Sequence, residues 1–266
     1  MPNALITGAS VGLGRAIAHT LAQAGWSLTI DARSRDQLRT TEQALARLTA
    51  VRAVPGDVTD PTHRTALLAA ATETGGLDLL VNNASELGGS PLPRLRDLDA
   101  AAYERLWQTN VLAPQQLIRA ALSRLNPGAV ILNISSDAGA EHYEQWGGYG
   151  STKAALDHQT LTWAAEEPQF TWYAVDPGDL RTAMHQAAFP GEDISDRPEP
   201  ETVAPVIADL IGSGRPSGRY RAADLAEART GFSGVQGGRP PSAEVRFSGV
   251  QGGRPPSAKT SSAGAA

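Results

Sequence analysis

Tyr149 and Lys153 flank the tripeptide Gly-Ser-Thr at the start of an alanine-rich stretch that predicts a helix, so their i, i+4 spacing puts both side chains on one face. A free tyrosine titrates at about 10, too high for efficient proton exchange near neutrality. A neighbouring ammonium stabilises the phenolate and lowers that value. Lysine usage sharpens the point: of the 23 lysines and arginines in the chain only Lys153 and Lys259 are lysines. An ammonium is compact where a guanidinium is a planar fork, so a chain that otherwise relies on arginine has placed its only lysine before residue 229 beside a phenol. Ser135-Ser136 closes an apolar run that predicts a strand. In open α/β sheets ligands bind beyond the carboxyl ends of the strands, so a serine hydroxyl there faces a bound ligand.

A second chemical feature lies near the N-terminus, where Thr7-Gly8-Ala9-Ser10-Val11-Gly12-Leu13-Gly14 follows the first apolar run and opens the first helical stretch. Glycines there permit a sharp turn and close approach to a pyrophosphate, and a helix N-terminus offers free N–H groups with a partial positive charge. Glycine-rich strand-to-helix turns occur in many folds. Its position at the head of an alternating chain points to a dinucleotide.

The elements that must position these groups are legible as short β-branched runs alternating with longer alanine- and leucine-rich stretches. Strands are predicted over residues 4–7, 27–31, 51–55, 77–82, 129–134, 170–175 and 218–222, and helices over 12–24, 35–49, 62–73, 99–124, 148–166 and 201–212. Such alternation implies a doubly wound α/β Rossmann fold, about seven parallel strands with helices on both faces.

Composition narrows the function further. The 266 residues, 41% hydrophobic and 19% charged, suit one large domain. The absence of cysteine excludes disulfides, thiolate metal centres and cysteine nucleophiles, and no two of the five histidines are spaced as metal ligands on one helical face. The net charge of −5 divides into +4 on residues 229–266 and −9 on residues 1–228, an acidic body that matches nucleic-acid phosphates poorly. No segment approaches the roughly 20 apolar residues of a membrane span, and the expectation is a cytoplasmic protein. From residue 229 the texture changes: FSGVQGGRPPSA occurs at 232–243 and again at 247–258, which reads as a low-complexity, disordered tail or, alternatively, a basic docking tail, appended to a catalytic domain over residues 1–228.

The spacing Gly8-x-x-x-Gly12-x-Gly14 together with Tyr149-x-x-x-Lys153 resembles the short-chain dehydrogenase/reductase family, and further matches follow in the family's order. Asp57-Val58 looks like its adenine-binding pair, and Asn82-Asn83-Ala84 like its Asn-Asn-Ala-Gly element with Ser85 in place of the glycine. Pro177-Gly178 with Thr182 resembles the segment that meets the nicotinamide, Ser136 stands at the family's interval of thirteen before Tyr149, and Asn110 matches the fourth member of its catalytic tetrad. The resemblance spans residues 3–225. It implies catalysis by Asn110, Ser136, Tyr149 and Lys153. Cofactor contacts would come from Gly8, Ser10, Gly12, Leu13, Gly14, Arg33, Ser34, Asp57, Val58, Asn83, Ala84, Tyr149, Lys153, Pro177, Gly178 and Thr182. Tyr149 would exchange the proton, Ser136 would help hold the carbonyl, and Asn110 would anchor a water chain.

Cofactor choice turns on the end of the second strand. The position eighteen residues after Gly14, where such enzymes carry an acidic ribose ligand for NAD, is Ala32, followed by Arg33 and Ser34. Arg33 can pair with a 2′-phosphate, whereas Asp31 faces the other side of the strand unless the register slips. The expectation is NADP(H), with NAD(H) possible, and a reaction between a ketone and a secondary alcohol. Alternatives are a non-catalytic nucleotide-binding regulator or scaffold, and isomerase or dehydratase chemistry on the same fold. The acidic and aromatic stretch Asp137 to Trp146 suits a cationic or hydroxylated substrate or is simply a solvated loop, and residues 184–200 sit where the family carries a substrate lid. The family also implies a homodimer or homotetramer associating through the helices at 99–124 and 148–166.

Overall fold

The structure is a computed structural model that describes residues 1–73 and 75–231. Seven parallel strands form one sheet: β1 (Asn3–Ile6), β2 (Ser27–Ala32), β3 (Val51–Pro55), β4 (Leu77–Asn82), β5 (Leu125–Ile134), β6 (Thr171–Asp176) and β7 (Gly218–Arg221). Their order is β3-β2-β1-β4-β5-β6-β7, so the direction of winding reverses between β1 and β4. A crevice at the carboxyl ends of the strands follows from that reversal. The repeat-bearing residues 232–266 lie outside the described residues.

Alternation along each strand feeds two cores. Ala4 and Ile6 of β1 and Tyr173 and Val175 of β6 join one cluster with α1 (Gly12–Gln23), α2 (Arg35–Leu45) and α8 (Pro200–Gly212). Leu5 and Trp172, one residue out of phase, join the other with α3 (Pro61–Ala71), α5 (Ala113–Ala121) and α6 (Gly147–Glu166). With both faces covered, the strands read as near-continuous apolar runs. Among the described residues no helix is long and apolar enough to cross a membrane.

The expected helix over 99–124 is broken. α4 (Ala100–Trp107), capped by the Asp99 carboxylate on Ala102 N–H, passes into a π-turn over Gln108–Leu112 before α5 begins. Pro114 supplies the reason: in an unbroken helix its ring would clash with the Asn110 carbonyl four residues back and no N–H would reach it. Two further helices were not expected, α7 (Ala183–Ala188) and α9 (Ala222–Gly231). α7 is short and starts on the Thr182 hydroxyl, which accepts from His185 N–H. α9 crosses the expected domain boundary at residue 228, and Arg229 within it pairs with Asp209 of α8 at 3.1 Å.

Candidate active site

The carboxyl ends of β1, β4, β5 and β6 surround a cavity of about 760 Å³ that runs from Arg33, Ser34 and Asp57 past the glycine loop to Tyr149 and α7. Gly8, at φ +66°, and Gly12, at φ +56°, occupy the left-handed region that glycine alone adopts readily. Gly14 is needed for space instead, since a Cβ there would stand 2.4 Å from Asn83 Nδ2 and 2.5 Å from the Gly8 carbonyl oxygen. The Asn83 amide donates to the Thr7 and Gly8 carbonyls at 2.9 and 3.0 Å, and the Thr7 hydroxyl accepts from the N–H groups of Asn83 and Ala84. The Asn-Asn-Ala segment thus braces the glycine loop from beneath. α1 carries no side-chain cap and no acidic residue in its first turn, which leaves its terminal N–H groups available at the cavity. Ser10 and Leu13 line this end, both 8% exposed.

Asp31 is fully buried, and its carboxylate accepts from Gly8 N–H at 2.8 Å and meets His63 Nε2 at 3.0 Å. Burial pushes this carboxyl up, against the opposing pull of His63 and the Gly8 N–H. Both oxygens are engaged within the fold, and Asp31, Ala32, Arg33 and Ser34 all line the cavity. The neighbouring Asp57 receives the N–H and hydroxyl of Thr59, both at 2.8 Å. Burial opposes its ionisation, but the Thr59 bonds and the charges of Arg33 and His63 outweigh it and hold the carboxyl below its usual value. Val58 is buried beside it.

At the opposite end, Tyr149 and Lys153 lie on the first turns of α6, with Lys153 Nζ 5.4 Å from the phenol ring centre and donating to the Ile134 carbonyl at 2.8 Å. The expected lowering of the phenol by the ammonium is overturned. Tyr149 is 8% exposed, and loss of hydration pushes it well above its usual value. Hydrogen bonds with Ser85 and Ser136 pull it down, and the Asp137 and Asp176 carboxylates push it further up. Burial also lowers Lys153 to about 8, with Asp157 opposing. The Ser136 hydroxyl donates to Asp137 at 3.0 Å and accepts from Ala138 N–H, and Ser135 is buried with its N–H on the Val175 carbonyl.

Asn110, 1% exposed in the π-turn, is placed next to this pair but its amide is fully engaged. Its oxygen accepts from Glu86 N–H and Ser85, and its nitrogen donates to the Glu86 carbonyl and to Thr152 of α6. Pro177 and Gly178 continue from β6, where Gly178 N–H donates to Asp176, and Thr182 stands across from Gly12. Phe189, just past α7, packs on Trp146 with ring centres 5.9 Å apart, and Trp146 meets Tyr149 at 5.8 Å, so Trp146 links the segment expected as a lid to the phenol.

Three contributors escape a reading of the sequence: His63, Ser85 and Arg219. Arg219 and Arg221 alternate on β7, and β7 pairs in register with β6, which ends in Asp176. That period-two arginine pattern beside an acidic strand end is the available signal.

The chain matches the family model for short chain dehydrogenase over residues 2–193. It is 34% identical over 189 residues to an uncharacterised oxidoreductase of Saccharomyces cerevisiae, covering 68% of this chain and 71% of that one. It is also 34% identical to an L-xylulose reductase of Aspergillus niger (69% of each chain) and 35% identical to a sepiapterin reductase of Meriones unguiculatus (69% of this chain, 76% of that one). Among solved structures, an alcohol dehydrogenase from the archaeon Thermococcus sibiricus, complexed with 5-hydroxy-NADP, superposes with a TM-score of 0.76 at 27% identity, covering 83% of this chain and 95% of that one. A short chain dehydrogenase from Shigella flexneri complexed with NADP gives 0.78 at 26% identity, covering 84% and 97%. The seven-stranded parallel sheet, the glycine loop above Asn83 and the paired Tyr149 and Lys153 accord with these matches, and the chain belongs to the short-chain dehydrogenase/reductase family of oxidoreductases.

Proposed function

We propose that this protein is an NADP(H)-dependent carbonyl reductase or alcohol dehydrogenase, with Tyr149 as its general acid and base. The observation that carries the reading is a single cavity with a glycine-lined helix N-terminus and Arg33 at one end and a buried phenol beside an ammonium at the other. The residues present fit a dinucleotide. The N–H groups at the start of α1 have no side-chain partner, Gly12 leaves room there, and Gly8 and Gly14 let the Asn83–Ala84 brace come close beneath. The two structures above were solved with NADP or its 5-hydroxy form, which agrees with that fit.

Gly8, Ser10, Gly12, Leu13 and Gly14 would hold the diphosphate, Asp57, Val58 and Ala84 the adenosine, and Lys153, Pro177, Gly178 and Thr182 the nicotinamide half. Arg33 and Ser34 are proposed to receive the 2′-phosphate, since Arg33 lines the cavity and can make charge-assisted hydrogen bonds to it, while both Asp31 oxygens are already engaged, by Gly8 and His63. When bound, the cofactor supplies the hydride chemistry. The chain's own part is positioning and proton transfer. Ser136 and Tyr149 orient the carbonyl oxygen, and the phenol, held protonated by its burial, delivers the proton as negative charge develops there. Trp146 and Phe189 exclude water on that side. Asn110 acts by fixing Ser85 and Glu86 against α6. Self-association through α4, α5 and α6 is proposed from the family pattern, with Leu112 of the π-turn between α4 and α5 and Leu161 of α6 exposed.

Fluorescence titration with NADPH and NADH, followed by absorbance assays on a panel of ketones, tests the reading. NADPH should bind at least tenfold tighter and be consumed with at least one ketone (about 1.4 kcal/mol). Equal or tighter binding of NADH would overturn the cofactor assignment, and absence of turnover across the panel would overturn the reaction.

A further inference from the structure

The Arg219 guanidinium reaches three segments that carry the site. Its Nε donates to Asp157 on α6 at 2.8 Å, and its Nη2 donates to the Ser136 carbonyl at 3.0 Å and lies 3.6 Å from the Asp176 carboxylate. No catalytic motif includes it. Asp157 stands four residues after Lys153 on the same helix, is 9% exposed, and has one buried oxygen, Oδ1, without a hydrogen-bond partner. Residues four apart on a helix are neighbours, and opposite charges attract strongly in a dry interior. Asp157 is the charge that acts on the Lys153 ammonium from its own helix, yet the ammonium donates to the Ile134 carbonyl, beside the phenol.

We propose that Arg219 is a positioning residue: by engaging Asp157 and gripping the Ser136 carbonyl, it keeps the Lys153 ammonium on the tyrosine side of α6 and fixes the strand end that carries the Ser136 hydroxyl. This rests on the reading of Tyr149 and Lys153 given above. The planar fork matters, because one guanidinium spans a carboxylate on a helix, a carbonyl at one strand end and a carboxylate at the next, which a single ammonium point charge does not. The charged and titratable groups at this corner are Tyr149 and Asp157 on α6, Asp137 after β5, Asp176 at the end of β6, and Arg219 and Arg221 on β7. Removing Arg219 leaves Asp157 with both oxygens free to draw the ammonium away.

The scarcity of lysine makes this directly observable. Protein labelled with ¹³C at the lysine ε-carbon carries two labelled side chains, Lys153 and Lys259, so each can be followed through a pH titration. In Arg219→Met, Lys153 should titrate about one pH unit higher than in the wild type, a tenfold change in its proton affinity. The kcat for ketone reduction should fall about 10²-fold, with the KM for NADPH changing less. The double variant Asp157→Asn/Arg219→Met should return both readouts toward the wild type. Arg219→Gln, which keeps a donor for the Ser136 carbonyl but lacks the charge, serves if the methionine variant fails to fold, and it should show the same rise for Lys153. A Lys153 titration unmoved in the folded variants, or a double variant no better than the single one, would overturn the proposal. If the wild type reduces no ketone, the reading of the site fails, while the Lys153 titration still reports on the Arg219 contact.

Discussion

Tyr149 shows how far residue types carry and where they stop. Its spacing to Lys153 predicts a shared helical face, and the structure has it, but burial raises the phenol where a lowering was expected. A side chain's hydration is set by what packs over it, here Trp146 and the segment around Phe189, and no local spacing reports that. Tyr149→Phe should retain NADPH binding by fluorescence while lowering turnover by at least about 10³-fold, in keeping with loss of a positioned acid; turnover near the wild-type rate would remove Tyr149 from its role. Lys153 sets a pH dependence with two opposite signs. Its value in the folded chain is about 8 against an ordinary 10.5, so between these the unfolded chain holds more protons than the folded one. Stability from this group therefore rises with pH across that window, and the cost of burying the ammonium is fully present below it. Relative to Lys153→Met, the wild type should gain melting temperature between pH 8 and pH 10, while ketone reduction declines through about pH 8 as the ammonium is lost. A melting curve series on both proteins and a pH–rate profile check the two halves.

At the scale of elements, the glycine loop is legible in the sequence but the division of labour within it is not. Gly8 and Gly12 meet the expectation of a tight turn, while Gly8 and Gly14 are also required by the Asn83–Ala84 segment lying against them. That contact joins residues about 70 apart in the chain, beyond the reach of any pattern within one segment. Gly14→Ala must displace both Asn83 and the Gly8 carbonyl. It should cost about 1–3 kcal/mol in stability and weaken NADPH binding at least tenfold, as read by denaturant unfolding and fluorescence titration. Asn110 shows the same limit. Its place in the motif is legible, but the break in its helix traces to Pro114, a signal present in the sequence and overridden there by the alanine- and leucine-rich pattern around it. Asp31 is the converse case. Strand alternation predicts that it turns from the ribose, whereas the structure keeps it on the cavity wall with its oxygens engaged by Gly8 and His63.

For the whole molecule, α9 continues through the expected boundary at residue 228. Arg229 pairs with Asp209 and α9 runs to Gly231, so truncation at residue 228 would cut into the folded body, and the informative cut lies after Gly231. Truncation there removes Arg239, Arg246, Arg254, Lys259 and Glu244, making the protein more acidic by three charges. It should leave turnover and melting temperature unchanged, which assays on the shortened chain will show; a loss of activity would assign residues 232–266 a part in catalysis. By itself the sequence determined the strand and helix alternation, the parallel sheet, the glycine loop and the Tyr149 and Lys153 pair, because each is written in spacings within one or two turns or strands. Only the tertiary structure decided the state of the phenol, the tie of Asp31 to Gly8 and His63, the brace of Asn83 under Gly14 and the reach of Arg219 from the sheet edge to Ser136 and Asp157. Those depend on burial and on contacts between segments far apart in the chain, and they exist only once the strands have been ordered in the sheet.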